Sequence, residues 1–212
     1  MDHALIPDLL RPYYEGLSRE QYKKISTYID LLLRWNAKMN LTAVRDPENI
    51  VKRHFGEAIF LARELSARHL LASGTVVYDI GSGAGFPGIP LKIARPEISL
   101  TLVEAHGRKA IFLKEVLRAV NLDAEVKNVR AEDLARTAAT TADIVTLRAV
   151  EKFDSILPVA AQFLKLTGAL ALLISKTQVA AVQKTLNSWQ FCPLLPIPGS
   201  ESRGILLLNQ SG

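Results

Sequence analysis

The chain has 212 residues, 49% of them hydrophobic, with a formal charge of +5 and a pI of about 9.4. That apolar fraction supplies a sizeable core and excludes global disorder, while the small positive surplus only weakly favours a polyanionic partner. A single cysteine, Cys192, excludes an internal disulfide and a cysteine-based metal cluster; neither a basic-then-apolar leader nor a membrane-length apolar run is visible, so a cytoplasmic protein with no membrane partner is expected.

The first element in chain order is a long amphipathic helix over 17–40. Ser18 and Gln21 stand at capping-box spacing, and Tyr22, Ile25, Ile29, Leu32, Trp35 and Met39 follow a helical stripe. Lys23, Lys24, Arg34 and Lys38 on the same helix read as a solvated polar face in preference to an RNA contact. Asn40-Leu41-Thr42 breaks the pattern. Asp46-Pro47 then gives an N-cap followed by Pro at the first helical position, and a second helix runs to about residue 69. Lys52, Arg53 and His54 form a short basic cluster in it. His54 has no partner at ligand spacing and reads as a surface or packing residue. Residues 1–73 are therefore a helical extension to a domain at 74–212.

After Ser73-Gly74 the rhythm becomes strand and helix in alternation, an α/β pattern. The stretch 75–90, TVVYDIGSGAGFPGIP, is a buried strand, then Gly81, Gly83 and Gly85 at alternate positions, then a helix beginning at Pro87. A strand, a glycine turn and a helix N-terminus make a site for the polar part of a nucleoside-type ligand. Phe86 occupies the place of the third glycine in the dinucleotide fingerprint, and Asp79 precedes the first glycine, where an acid suits a positively charged ligand. The pattern resembles the first motif of the Rossmann-like S-adenosylmethionine methyltransferases, whose cofactor carries a sulfonium and an amino group.

A second strand, SLTLVE, ends at Glu104, whose two acceptor oxygens match the vicinal diol of a ribose; its alternatives are a solvated charge or a pair with Arg108 or Lys109. A helix over 110–120 and a third strand over 124–129 lead to Ala131 and Glu132. In such folds this loop approaches an adenine, but the two residues could equally start a helix. A fourth strand over 142–147 places Arg148 at its carboxyl end, to hold a phosphate, a carboxylate or a nucleobase, or to pair with Glu151. A helix over 153–166 containing Pro158 and ended by Gly168, a strand over 169–175 with Lys176 at its end, a helix over 178–189 and an antiparallel pair at 192–197 and 205–209 complete the chain. Cys192 reads as a packing residue.

NLTAVRDPENIVKRHF, DIGSGAGFPGIPLKIARPE, TLVEAHGRKAIFLKEV, the triplet Arg130-Ala131-Glu132 and Arg148-Ala149-Val150 together resemble, in order and spacing, the bacterial small-subunit ribosomal RNA methyltransferase G family, also known as glucose-inhibited division protein B. The resemblance covers roughly residues 17–210. It implies a Rossmann-like class I methyltransferase with a mostly parallel seven-stranded sheet. It also implies transfer of methyl from S-adenosylmethionine to N7 of one guanine in a hairpin loop of 16S rRNA. The cofactor contacts it implies are Gly81 and Phe86, with Gly83 in the same loop, then Glu104, Ala105, His106, Ala131, Glu132 and Arg148. Arg148 is also the candidate for positioning the target base, and Arg53, Lys176 and Arg203 lie along the RNA path. No metal is required, a monomer suffices, and the partner is the small ribosomal subunit. Leu147 and Val150 depart from the Ser and Phe usual beside that Arg, and Gly204 replaces the His that tends to follow Arg203. The competing readings are a small-molecule methyltransferase of the same fold and a non-catalytic RNA-binding factor, which salt dependence and turnover would separate.

Overall fold

The computed structural model describes residues 3–148 and 153–210. Runs rich in Val, Ile and Leu form five parallel strands, β1 (Val76–Ile80), β2 (Ser99–Val103), β3 (Glu125–Lys127), β4 (Ala142–Arg148) and β5 (Leu164–Ser175). Three strands from the last part of the described chain complete the sheet, β6 (Trp189–Phe191), β7 (Leu195–Pro196) and β8 (Arg203–Gln210). β8 runs antiparallel to β5, and β6 and β7 pair along the other side of β8. The continuous order is β3-β2-β1-β4-β5-β8-β6; the antiparallel pair expected at 192–197 and 205–209 is present as β7 on β8, off this path, and β6 is a strand the sequence did not predict. Pro193 separates β6 from β7, since a residue without an N–H interrupts an edge ladder. The strand order reverses between β1 and β4, so the switch point of the sheet lies at their carboxyl ends.

The N-terminal part is α1 (Ile6–Leu10), α2 (Arg19–Asn36), α3 (Pro47–Ile50), a wider π turn over Val51–Gly56, and α4 (Glu57–Ala67). The capping box forms as its spacing predicts, with Ser18 N donating to Gln21 Oε1 at 2.7 Å and Gln21 N donating to Ser18 Oγ at 3.2 Å. α2 stops at Asn36, short of residue 40. The Asn36 amide accepts from the N–H groups of Leu41 and Thr42 and donates to Thr42 O, which holds the next turn in place of further helix.

The remaining helices are α5 (Gly88–Ala94), α6 (Gly107–Ala119), α7 (Ala131–Ala138), α8 (Phe153–Gln162) and α9 (Val179–Thr185). One face of the sheet, carrying Val77, Leu100, Leu102 and Ile144, shares a single core with α1, α2, α4, α5 and α6. The other face, with Ile80, Val145, Leu170 and Leu172, packs on α7, α8 and α9. The N-terminal helices are thus built onto the sheet through the same buried cluster as α5 and α6.

Three sequence expectations change. α8 ends at Gln162, and Gly168 lies inside β5 instead of ending the helix. A Cβ at Gly168 would sit 3.0 Å from Asp143 O and 3.1 Å from Ala142 O, so the glycine permits close approach to β4 where their register shifts. Trp189 belongs to β6 and not to the preceding helix. Cys192 is exposed and has no packing role. No helix among the described residues is long and apolar enough to cross a membrane.

Candidate active site

At the carboxyl ends of β1, β2, β4 and β5 lies a cavity of about 1060 Å³. Its floor is the glycine loop, where Gly81, Gly83 and Gly85 all take positive φ (68°, 57° and 90°) that other residues adopt with strain. Asp79 fastens this loop from below. Its Oδ1 accepts from Thr146 Oγ1 at 2.7 Å and its Oδ2 from Gly88 N at 3.2 Å. The side chain is buried, and that burial raises its pKa to about 6. Asp79 does not line the cavity, so the expectation that it faces a charged ligand is corrected to a structural role. α5 accordingly starts at Gly88, with Pro87 just outside it, because the Gly88 N–H is held by Asp79. A Cβ on Gly88 would lie 2.7 Å from Leu102 and 2.8 Å from the Asp79 carboxylate.

Glu104 follows β2 and lines the cavity. Gly83 N donates to its Oε2 at 2.8 Å and His106 N to its Oε1 at 2.7 Å, so the carboxylate is fixed from behind by two amides. Among the described residues it pairs with neither Arg108 nor Lys109. Each oxygen has a further lone pair, enough for two vicinal hydroxyls. Ala105 and His106 continue the wall, and Asn128 Nδ2 ties this segment to β3 by donating to Glu104 O at 2.8 Å and Ala105 O at 3.1 Å. Ala131 and Glu132 open α7 and also line the cavity, so starting a helix does not remove them from it.

The opposite wall is made by Arg148, His54, Glu57, Arg53 and Arg203. Arg148 Nη2 donates to Arg53 O at 2.7 Å, reaches His54 Nδ1 at 3.0 Å and pairs with Glu57 Oε2 at 3.0 Å. Arg203 Nη2 stands 2.7 Å from Glu57 Oε1, close in distance but off the hydrogen-bonding line. Two guanidiniums thus share one carboxylate that is 2% exposed. Burial raises the Glu57 pKa, and the Arg148 and Arg203 charges oppose that rise. The alternative partner of Arg148, Glu151, and the motif residues Ala149 and Val150 lie outside the described residues. Leu147 is buried in the core on the α8 side, away from this wall.

His54 is a packing residue, buried, with its ring centroid 4.8 Å from that of Phe86. Since Arg148 donates to Nδ1, the ring proton is assigned to Nε2, which donates to Thr42 Oγ1 at 2.7 Å. Burial first, and then Arg148 and Arg53, lower its pKa to about 3, so the imidazole is neutral. Phe86 stacks on Tyr28 at 5.3 Å with 6° between planes, and Phe55 meets Phe86 edge-on at 5.2 Å. Tyr28 Oη donates to Ala84 O. The aromatic residues of the N-terminal helices therefore brace the glycine loop.

Of the thirteen residues singled out from sequence for ligand or RNA contact, Asp79 included, the structure brings eleven to one cavity: Gly81, Gly83, Phe86, Glu104, Ala105, His106, Ala131, Glu132, Arg148, Arg53 and Arg203. Lys176 is exposed beside it, next to the lining residue Ser175, with its N–H donated to Ser202 O at 2.8 Å. Sequence reasoning missed Glu57. Its signal was a lone carboxylate inside the apolar run 55–62.

The family model described as rRNA small subunit methyltransferase G, GidB, matches residues 21–197. The ribosomal RNA small subunit methyltransferase G of Chloroflexus aggregans is 36% identical over 92% of this chain and 84% of its own length. That of Xanthomonas axonopodis pv. citri is 36% identical over 100% of this chain and 99% of its own. Among solved structures, an rRNA methylase from Streptococcus thermophilus has a TM-score of 0.56 at 14% identity over 73% of this chain and 94% of its own. P. horikoshii TYW2, solved with MeSAdo, has a TM-score of 0.57 at 13% identity over 73% of this chain and 61% of its own, a likeness of fold. With the family model spanning most of its length and the site assembled at the switch point of a Rossmann-like sheet, this chain belongs to the rRNA small subunit methyltransferase G family.

Proposed function

We propose that this protein transfers a methyl group from S-adenosylmethionine to N7 of one guanine in a hairpin loop of 16S rRNA. The observation that carries the reading is one cavity with an anchored carboxylate, Glu104, on one side and two guanidiniums, Arg148 and Arg203, on the other. The donor set fits the cofactor. Gly81 and Gly83 present backbone without side chains, Glu104 accepts from ribose hydroxyls, and Ala105, His106, Ala131 and Glu132 wall the adenine end. Bound there, the cofactor would supply an electrophilic methyl carbon whose bond to sulfur breaks as N7 attacks, the electron pair leaving with sulfur.

N7 of guanine has an in-plane lone pair and no proton, so the transfer requires no general base. The cavity matches that requirement. The Nδ1 lone pair of His54 is occupied by Arg148, and its proton is committed to Thr42. The protein's contribution is alignment of the base with the methyl group. Arg148, fixed by Glu57 and by the Arg53 carbonyl, positions the target through guanine O6 or a flanking phosphate, both of which accept from guanidinium. Arg53 and Arg203 extend the same positive wall, and Lys176 stands outside it on the RNA path.

The test is transfer of labelled methyl to small ribosomal subunits from cells lacking this enzyme, with protein-free 16S rRNA alongside and the product mapped by cleavage at 7-methylguanine. One labelled guanine in the hairpin is the expected result. Label on neither RNA, from protein that binds the cofactor, overturns the reading.

A further inference from the structure

A second cavity, of about 510 Å³, lies between the end of α2 and the exposed side of α6. Arg34, Trp35, Lys38 and Met39 line it from one side, Arg108 and Glu115 from the other. Arg34, Lys38 and Arg108 are exposed, and among the described residues none of them is in an ion pair. Three cations face a single carboxylate.

The placement of Arg108 is informative. It stands with Lys109 in the first turn of α6, where no acidic residue is present and the helix dipole already adds positive potential. The dipole disfavours cations there slightly, and the first turn holds no acid to offset them. The apolar part of the groove is also unusual for a solvated helix pair. Trp35 is half-buried, its ring 5.5 Å from Phe112, so the indole is held at the surface by a core residue.

The groove borders the active cavity at two points. Leu41 lines the cavity and donates its N–H to the carbonyl of Met39, a groove residue, at 2.8 Å. Lys109 lines the cavity, and its chain neighbour Arg108 lines the groove. A strand entering one therefore passes the other.

We propose that this groove is a second RNA subsite. It takes an unpaired nucleotide of the rRNA that also presents the target guanine, with the base on Trp35 and Met39 and the phosphate among Arg34, Lys38 and Arg108. An aromatic platform set among unpaired cations is the arrangement that binds single-stranded nucleic acid. The proposal rests on rRNA being the substrate. An acidic protein surface would answer the cations alone, but gives no use for the half-buried indole among them.

The experiment uses the full chain carrying Trp189→Phe, which leaves Trp35 as its sole tryptophan fluorophore. A short single-stranded RNA copying the target loop is titrated into it. Saturable quenching is expected, with an affinity that falls as salt rises. Lys38→Glu and Arg108→Glu, both at exposed positions, are expected to raise KM for protein-free 16S rRNA about tenfold. Both should leave kcat and cofactor affinity unchanged, and each should lower the salt slope by about one. No quenching together with an unchanged KM overturns the proposal. A defect on small ribosomal subunits with an unchanged KM on protein-free rRNA also overturns it, and assigns the groove to a ribosomal protein. Should the wild-type protein methylate no rRNA, the functional reading fails, and the fluorescence titration still decides the groove.

Discussion

Arg148 and Glu57 meet at 3.0 Å across the wall of the active cavity, one at the end of β4 and the other at the first residue of α4. With Arg203, the first residue of β8, they join three elements that are far apart in sequence. A carboxylate between two guanidiniums leaves one positive charge in excess on this wall of the cavity. Glu57 is thus the counter-charge for both arginines and orients Arg148 by a hydrogen bond.

Glu57→Ala is expected to destabilise the protein by about 3 kcal/mol, because it strands two guanidiniums that were held in a largely buried site. Urea denaturation reads this directly. Glu57→Gln keeps the shape, and its smaller stability loss should come with a larger loss of methyl transfer than of cofactor affinity. Arg148→Ala should abolish rRNA methylation, and full activity in that variant would sink its assigned role.

Glu104→Ala removes the proposed acceptor for the ribose and leaves the amides of Gly83 and His106 without their partner. Cofactor affinity by calorimetry should fall at least about tenfold, the scale of a lost charge-assisted hydrogen bond. Glu104→Gln should fall between wild type and Ala. Equal affinity in all three would remove Glu104 from the site.

The brace on the glycine loop is tested from both ends. Tyr28→Phe deletes the bond to Ala84 O while keeping the ring stack on Phe86, and should lower stability by about 1 kcal/mol. Gly85→Ala should be worse, since φ is +90° there and the new Cβ would stand 2.5 Å from Tyr28 Oη and 2.7 Å from Ile89 Cδ1. Thermal unfolding ranks the two, and the reverse order would falsify this account of the loop.

Two buried groups give opposite pH dependences of stability. His54 has a folded pKa near 3 against 6.5 unfolded, so the unfolded chain takes up the proton first as pH falls. Stability is lost through that window, by an amount on the order of 4 kcal/mol at its lower end. Asp79, raised from 3.8 to about 6, keeps its proton longer when folded, and stability therefore falls as pH rises from about 4 to 6. A comparison of wild type with His54→Gln isolates the first effect. The wild type should lose stability relative to the variant as pH is lowered from 6.5 towards 3. Single-turnover methyl transfer, with no base to titrate and His54 neutral throughout, should be flat from pH 7 to about 9.

The sequence by itself determined the local pieces whose chemistry is contained in neighbouring residues. The capping box of α2, the Asp46 cap, the glycine turn, the acid at the end of β2 and the arginine at the end of β4 are each written within a few positions. Fold class followed from the same local alternation of strand and helix. Where a long-range contact decided, the local pattern misled. Gly168 lies in a strand because β4 approaches it closely, and Asp79 faces Thr146 and the Gly88 amide and not the cavity. Only the tertiary structure revealed Glu57, since nothing beside it in the chain shows that β4 and β8 each bring an arginine to it. The same holds for His54. Its neutral state and its tautomer follow from Arg148 and Thr42, and burial, which sets both its pKa and that of Asp79, is a property of packing that no short stretch of sequence carries.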